Sequence, residues 1–378
     1  MATQFYPGQT LGIIGEGING PILAQTARRM GFRVAAYSSD VEAEVLHVAD
    51  LRFVGANDNW EELRSFAESC DFVTYESQNI STQTLEYIKQ YADLPQGINT
   101  LEISMDRLME RTLFEDLNIN CLPYMTVVDL TDVVNAAASL GYPVVLKSIP
   151  KVTGIEKEVI VENEASIGKV AEMIDTGTFI IESWLSNVRE YSVVAARALD
   201  GKISTYPIIE NFYTGGKLIK TVTPVKLPDE IEFEMYRITE RIGENINYRG
   251  LFQLDFYVTA TGNLIVKRLV ATLSQASAIF DQVTNVSVYE QHIRAIAGLP
   301  LSVVTAAWPA VLVPFSDIDD TKLRTQWLIK DNWHFSFYHN AGQLLHDVSG
   351  HFVATGTDVQ SLLDQIDATK FISNDDTA

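Results

Sequence analysis

Residues 10–40 read "TLGIIGEGINGPILAQTARRMGFRVAAYSSD", and the order of elements within this stretch sets the architecture of the amino-terminal part of the chain. "TLGIIG" is an apolar run of strand length, Pro21 to Met30 has helical spacing, and "FRVAAYSS" is a second strand ending at Asp40. A strand, a helix and a strand in succession imply a parallel sheet. Between the first strand and the helix, Gly15, Gly17 and Gly20 fall in the G-x-G-x-x-G pattern, with Asp40 about twenty residues on. Small residues there let backbone amides approach a phosphate, because the unpaired N–H groups and the helix dipole both favour an anion. Three readings are open: a dinucleotide site, a tight turn that needs glycine geometry, and a loop that binds a substrate other than a dinucleotide.

The alternation continues outward. "DLRFVG", a helix from about Trp60 to Ser69, the strand "DFVTYE" and a helix from about Thr82 to Tyr91 close near Pro95 and Gly97, which predicts a first domain over residues 1–100. A smaller α+β unit is expected over residues 101–180, with a helix from Met105 to Asn118, another around Asp132 to Leu140, and the strands "YPVVLKSI" and "KEVIVEN". A third unit, 181–300, is richer in antiparallel signals, with turns at Asp200-Gly201, Gly215-Gly216 and Thr261-Gly262-Asn263 and helices near Glu230 to Ile246 and Val288 to Ala297. Residues 301–378 predict a small β-containing domain ending in a polar, disordered "SNDDTA". The fold class expected is therefore α/β joined to α+β.

The chain's 378 residues, 47% hydrophobic and 20% charged, suit two or three ordinary globular domains. No apolar run approaches the roughly 18 residues that cross a bilayer, and residues 1–10 lack the basic start and apolar stretch of a secretory signal, so the expected location is the cytoplasm. Cys70 and Cys121 have no metal-ligand spacing and are expected as buried small apolar residues. With 49 acidic against 28 basic side chains the formal charge is −21, which repels nucleic acid and anionic membranes.

The opening stretch, "HVADLRFVGANDNWEELRSFAESCDFVTYESQNI" (47–80) and "EQHIRAIAGLPL" (290–301) together resemble the N5-carboxyaminoimidazole ribonucleotide synthases, ATP-grasp ligases of purine synthesis. The likeness spans about residues 10–300. It implies an ATP-grasp fold with an N-terminal Rossmann-like domain and a small C-terminal domain. The implied reaction has ATP phosphorylate bicarbonate, and the carboxyphosphate then carboxylates the amine of aminoimidazole ribonucleotide. ATP, a small-molecule substrate, magnesium and a homodimeric partner are implied with it. By position, the resemblance gives Arg107 and Lys147 to phosphates, Glu182 and the neighbouring backbone to the adenine edge, and Glu190 to ribose hydroxyls. It gives the substrate to Gly15, Gly17, Gly20, Glu76 and Asn79, and a metal to Asp255.

Several positions depart from that pattern. The lid, glycine-rich in the family, is "KVTGIEKE" at 151–158, where a Thr153-Gly154 turn in a plain hairpin is expected. The second metal carboxylate is Arg268, preceded by Lys267, and the histidine-containing segment that follows is "VATLSQASA". Ile18 and Pro21 stand for a glutamine and an arginine, and Asp347 and Val348 for a basic pair ahead of Gly350 and His351. The reading is a ligase of this family with eroded metal, lid and substrate motifs; the alternative is a non-catalytic nucleotide-binding or scaffold paralogue. A dehydrogenase reading finds no hydride-transfer constellation after Asp40.

Overall fold

The structure is a computed structural model that describes residues 4–151, 158–315, 320–340, 343–344 and 348–369. Strands β1 (Thr10–Ile14), β2 (Arg33–Ser38), β3 (Leu51–Val54) and β4 (Phe72–Tyr75) form a parallel sheet in the order β3-β2-β1-β4. Both faces are covered at β1, β2 and β4, which is why these three strands read as nearly continuous apolar runs, whereas the edge strand β3 alternates half-buried and exposed residues. Val34 and Ala36 pack with Leu23, Ala24 and Ala27 of the helix Gly20–Arg29, whereas Ala35 and Tyr37 pack with Leu63 and Phe66 of the helix Trp60–Glu68.

A second, antiparallel sheet is built from β5 (Tyr124–Val127), β6 (Val144–Ser148), β7 (Glu158–Val161) and β8 (Phe179–Ser183) in the order β5-β8-β6-β7. The helix Leu130–Leu140 packs Val133, Ala136 and Ala137 into its core with Val144, Leu146 and Ile181.

The third sheet begins with β9 (Arg189–Arg197), β10 (Ile203–Thr205), β11 (Ile209–Thr214) and β12 (Lys217–Thr223), followed by β13 (Gly250–Val258) and β14 (Leu264–Val270). It continues through β15 (Ala310–Phe315) and β16 (Trp333–Phe337), and, after the short pair β17 (His339–Asn340) and β18 (Gln343–Leu344), through β19 (Gly350–Thr355). The order is β14-β13-β9-β11-β12-β15-β19-β16, with β10 beside β9. Strand β12 pairs with β15, so one sheet runs across residue 300 and the carboxyl-terminal strands extend it.

A small polar cluster locks the first sheet to the third. Thr74 of β4 lies 2.9 Å from Nε2 of His292, whose Nδ1 accepts from the Leu251 amide of β13 at 3.1 Å. Gln96 reaches the Tyr248 hydroxyl at 3.0 Å and the Ala271 carbonyl at 3.3 Å. Burial holds His292 down at about 4, so the ring stays neutral and can accept at Nδ1.

The expected helix from Met105 to Asn118 is observed as Arg107–Asp116, and a further helix, Asn99–Met105, precedes it. Asp106 between them is extended, with φ −123° and ψ 116°, and its carboxylate accepts from the amides of Leu108 and Met109, both at 2.9 Å. An N-cap restarts the helix in a new direction. The Arg107 amide is thereby turned to the Ile149 carbonyl at 2.9 Å, beside the end of β6. The helix at Thr82 ends at Ile88 rather than Tyr91. The expected Thr153-Gly154 turn and the "SNDDTA" terminus lie outside the described residues. Among the described residues no helix is long and apolar enough to cross a membrane.

Asp106→Ala removes the cap that orients Arg107–Asp116, and is expected to lower stability in urea denaturation by about 1 kcal/mol, within the range for lost aspartate caps.

Candidate functional site

The glycine loop folds around a side chain of the protein itself. The Gly17 amide donates to Oε1 of Glu76 at 2.5 Å, and the amides of Asn19 and Gly20 also face this carboxylate. Glu76 ends the run of β4 and is 1% exposed. A Cβ on Gly17 would come within 2.6 Å of Glu76 Oε2, and one on Gly15, whose φ is +145°, would collide with Oε1. Gly15 and Gly17 are therefore required by the approach of Glu76, and the amides of Gly17, Asn19 and Gly20 are already directed at its carboxylate. This is the physical reason the dinucleotide reading fails here. Burial pushes Glu76 up to about 7, against the opposing pull of those amides.

Two cavities flank this loop. One, of 240 Å³, is lined by Gly15, Glu16, Gly17, Ser77 and Asn79 among others. The second, of 360 Å³, lies between the loop and the strands of the carboxyl-terminal part. Its lining carries Glu16, Asp40, Glu44 and Asp281 with Phe337 and Tyr338, and neither Lys nor Arg occurs among the described residues that line it. His351 is buried and bonds the Tyr338 hydroxyl through Nδ1 at 2.5 Å, with its ring held at about 4 by burial. It serves this wall as a structural group.

The largest concentration of charge is elsewhere, in a cavity of 610 Å³ between the second and third sheets. Its lining brings together Arg107, Lys147, Glu182 and Glu190 with Glu110, Arg111, Lys151, Glu158, Lys267 and Arg268. Glu182, 1% exposed, is held on both sides: Lys147 Nζ lies 2.6 Å from Oε1 and Arg111 Nη2 lies 2.9 Å from Oε2. Burial alone would raise this carboxyl, but the two cations outweigh it and hold it at about 2. Arg107 pairs with Glu158 at 2.9 Å, Lys151 with Glu110 at 2.7 Å, and Lys267 with Glu190 at 2.8 Å. Leu122, Trp184 and Tyr257 add an apolar wall.

Arg111, Glu110 and Lys151 escaped the sequence reading as site residues. A signal was present: Arg107, Glu110 and Arg111 stand at i, i+3 and i+4 on one helix and share a face. What the pattern could not supply was the partner across the cleft, since Glu110 accepts from the Leu269 amide and Arg111 donates to the Lys267 carbonyl, both on β14.

The expected metal ligand Asp255 does not fit that role. Oδ2 takes the Arg268 Nε at 2.5 Å, and Oδ1 accepts from Ser192 and from Gln253, each at 2.6 Å. A guanidinium now stands where a second carboxylate would be needed. Among the described residues no group of three or more His, Cys, Asp or Glu could hold an ion.

A parallel-sheet domain followed by two sheets that close on a charged cleft is the architecture of the ATP-grasp proteins, a class that binds ATP. The family model for the ATP-grasp domain matches residues 112–271, and that for the ribonucleotide synthetase preATP-grasp domain matches residues 8–104. An N5-carboxyaminoimidazole ribonucleotide synthase of Bacillus subtilis is 30% identical over 82% of this chain and 81% of its own. One of Staphylococcus saprophyticus is 26% identical over 95% and 97%. A crystal structure of the Staphylococcus aureus synthetase superposes with a TM-score of 0.90 at 25% identity, covering 97% of this chain and 98% of that one. The Aspergillus clavatus synthase in complex with ADP and aminoimidazole ribonucleotide shares the fold at a TM-score of 0.86 and 17% identity, over 97% and 100%. The chain belongs to the N5-carboxyaminoimidazole ribonucleotide synthase family of ATP-grasp ligases.

Because Glu76 titrates higher when folded than its ordinary 4.5, its contribution to stability is fully present below about pH 4.5 and is lost as pH rises through about 7. The loss amounts to roughly 3 kcal/mol. Urea denaturation at about pH 4.5 and pH 8 is expected to show a smaller pH-dependent loss in Glu76→Gln than in the parent by about that amount.

Proposed function

We propose that the chain binds an adenine nucleotide in the cleft between the second and third sheets, and that it does not carry out metal-assisted carboxylation of aminoimidazole ribonucleotide at the family's rate. The observation that carries the first part is Lys147, delivered by β6 into the cleft and fixed at 2.6 Å from the buried Glu182. An ammonium held in that way is a preorganised phosphate partner. Arg107 joins it from the restarted helix, and Leu122, Trp184 and Tyr257 accept the base. Glu190 serves the ribose hydroxyls from the start of β9. Since both Glu182 oxygens are engaged by cations, its part is to hold Lys147 and Arg111, and the backbone beyond it reads the adenine edge.

The second part rests on the metal and on the acceptor. The donors at Asp255 are saturated by Arg268, Ser192 and Gln253, so they do not fit magnesium. The acceptor of the family reaction is a phosphate ester, whereas the cavity beside the glycine loop presents four carboxylates and no cation among its described lining. Like charge facing a phosphate disfavours binding. The resemblance also supports a homodimer and a cytoplasmic location, and light scattering tests the first.

Two outcomes are expected. Protein supplied with ATP, magnesium, bicarbonate and aminoimidazole ribonucleotide releases phosphate at well below roughly 1 per second, the lower end of ordinary turnover; a normal enzyme rate refutes the loss of activity. In calorimetry with ADP, Lys147→Met weakens binding by about tenfold or more, equivalent to about 1.4 kcal/mol. An unchanged affinity in a folded variant removes Lys147 from the site.

A further inference from the structure

The floor of the nucleotide cleft is rebuilt around a cation, and the rebuilding involves backbone as well as side chains. Asp255 and Arg268 are cross-strand partners on β13 and β14, but the register then slips, so that Phe256 pairs with Val266. Lys267 is the extra residue in that slip, a β-bulge. In a regular strand, adjacent side chains point to opposite faces. Here Lys267 and Arg268 both line the same cavity. The bulge is supported from outside the sheet by Arg111, which donates to the Lys267 carbonyl at 3.2 Å.

The ion pair within this floor is lopsided. The Asp255 side chain is 4% exposed and the Arg268 side chain 43%. Asp255 is bound from within the sheet by Ser192 and Gln253, and these are held in turn by Asn211 and Ser274. The carboxylate therefore works as an anchor, taking the guanidinium through Nε, and the Tyr213 hydroxyl also bonds to Arg268, whose side chain stays 43% exposed to the cleft. A guanidinium offers five N–H donors in a planar fork that matches phosphate oxygens. Lys267 stands beside it, 2.8 Å from Glu190, with its ammonium 5.3 Å from the Tyr213 ring centre and 5.0 Å from that of Tyr257.

We propose that Arg268, assisted by Lys267, takes the place of a divalent cation and holds the polyphosphate of the bound nucleotide directly, so that nucleoside di- and triphosphates bind without metal. The inference rests on the nucleotide-binding reading above. It changes the species recognised from a metal complex to the free nucleotide anion. Coordination by magnesium would leave fewer phosphate oxygens for the guanidinium, so the metal gives no gain in affinity.

Calorimetry of the full chain with ADP, in excess EDTA and again in millimolar magnesium, separates the possibilities. Dissociation constants agreeing within about threefold in the two conditions are expected. Binding that appears only with magnesium overturns the inference and leaves the nucleotide reading in place. Absence of binding in both conditions overturns both. Arg268→Glu is expected to lose about tenfold or more in EDTA and to acquire a magnesium requirement; metal-free affinity equal to the parent's sinks the proposal. Lys267→Gln leaves the Asp255–Arg268 pair intact and carries the test if the charge reversal unfolds the protein. Its metal-free affinity is expected to fall by about threefold or more, and an unchanged value counts against the proposed floor.

Discussion

The charge on which the cleft depends is the carboxylate of Glu182. Buried at 1% exposure, it would cost several kcal/mol if unpaired, yet it sits between Lys147 and Arg111. Each partner arrives from a different element, Lys147 from β6 and Arg111 from the helix that Asp106 caps. The pairing thus sets the position of that helix against the second sheet. The helix in turn reaches the third sheet through Glu110 and Arg111, at the Leu269 amide and the Lys267 carbonyl. One buried anion, its two cations and their neighbours on the helix therefore register both walls of the cavity. Ion pairs of this kind add little net stability compared with apolar packing, and their effect here is on geometry.

The same helix also supports the floor of the cleft. A bulge at Lys267 frees a carbonyl from regular pairing, and Arg111 accepts the task of satisfying it. Arg268 then finds its counter-ion in the strand partner already opposite it, Asp255. With one guanidinium and one carboxylate the strand pair is neutral, and its open side is cationic. The carboxylate is satisfied inside the sheet, by Ser192 and Gln253, before any ligand is considered.

Much of the fold was legible because its signals are local. The β-α-β order at residues 10–40 and the apolar runs of strands buried on both faces identify the parallel sheet, and the turns at Gly201, Gly215-Gly216 and Gly262 mark the antiparallel one. The short helix Asn99–Met105 went unread because it falls where a domain boundary was expected, and the capping role of Asp106 shows only once its amide partners are seen. The continuity of the third sheet past residue 300 depends on β12 meeting β15 across a long separation, which no local pattern records. At the candidate site, Lys147, Glu182, Glu190 and Arg107 come from position within a resemblance, and the structure lines them along one cavity. Glu76 shows the opposite case. Its residue type was noticed, but only the fold reveals that it occupies the glycine loop across 59 residues of sequence and so accounts for Gly15 and Gly17.

On the proposed nucleotide reading, the distribution of charge accounts for how an acidic protein would hold an anion. With a formal charge of −21 the chain as a whole repels nucleotides, and its other large loop-side cavity is lined by carboxylates. The cleft between the sheets is lined by six cations and four carboxylates, with Asp255 beneath Arg268 as a fifth. The local balance is therefore close to neutral, and net charge cannot be what draws a phosphate in. Selectivity must come from arrangement. Carboxylates at the back hold Lys147 and Arg268 in place, so little side-chain entropy is lost when a ligand meets them. Solvent ions screen the distant surface charge over about 8 Å at physiological salt, whereas buried pairs are screened much less. The repulsion thus weakens at long range while the preorganised contacts persist at short range, and this difference in distance is what would let Lys147 and Arg268 meet a phosphate inside an acidic molecule.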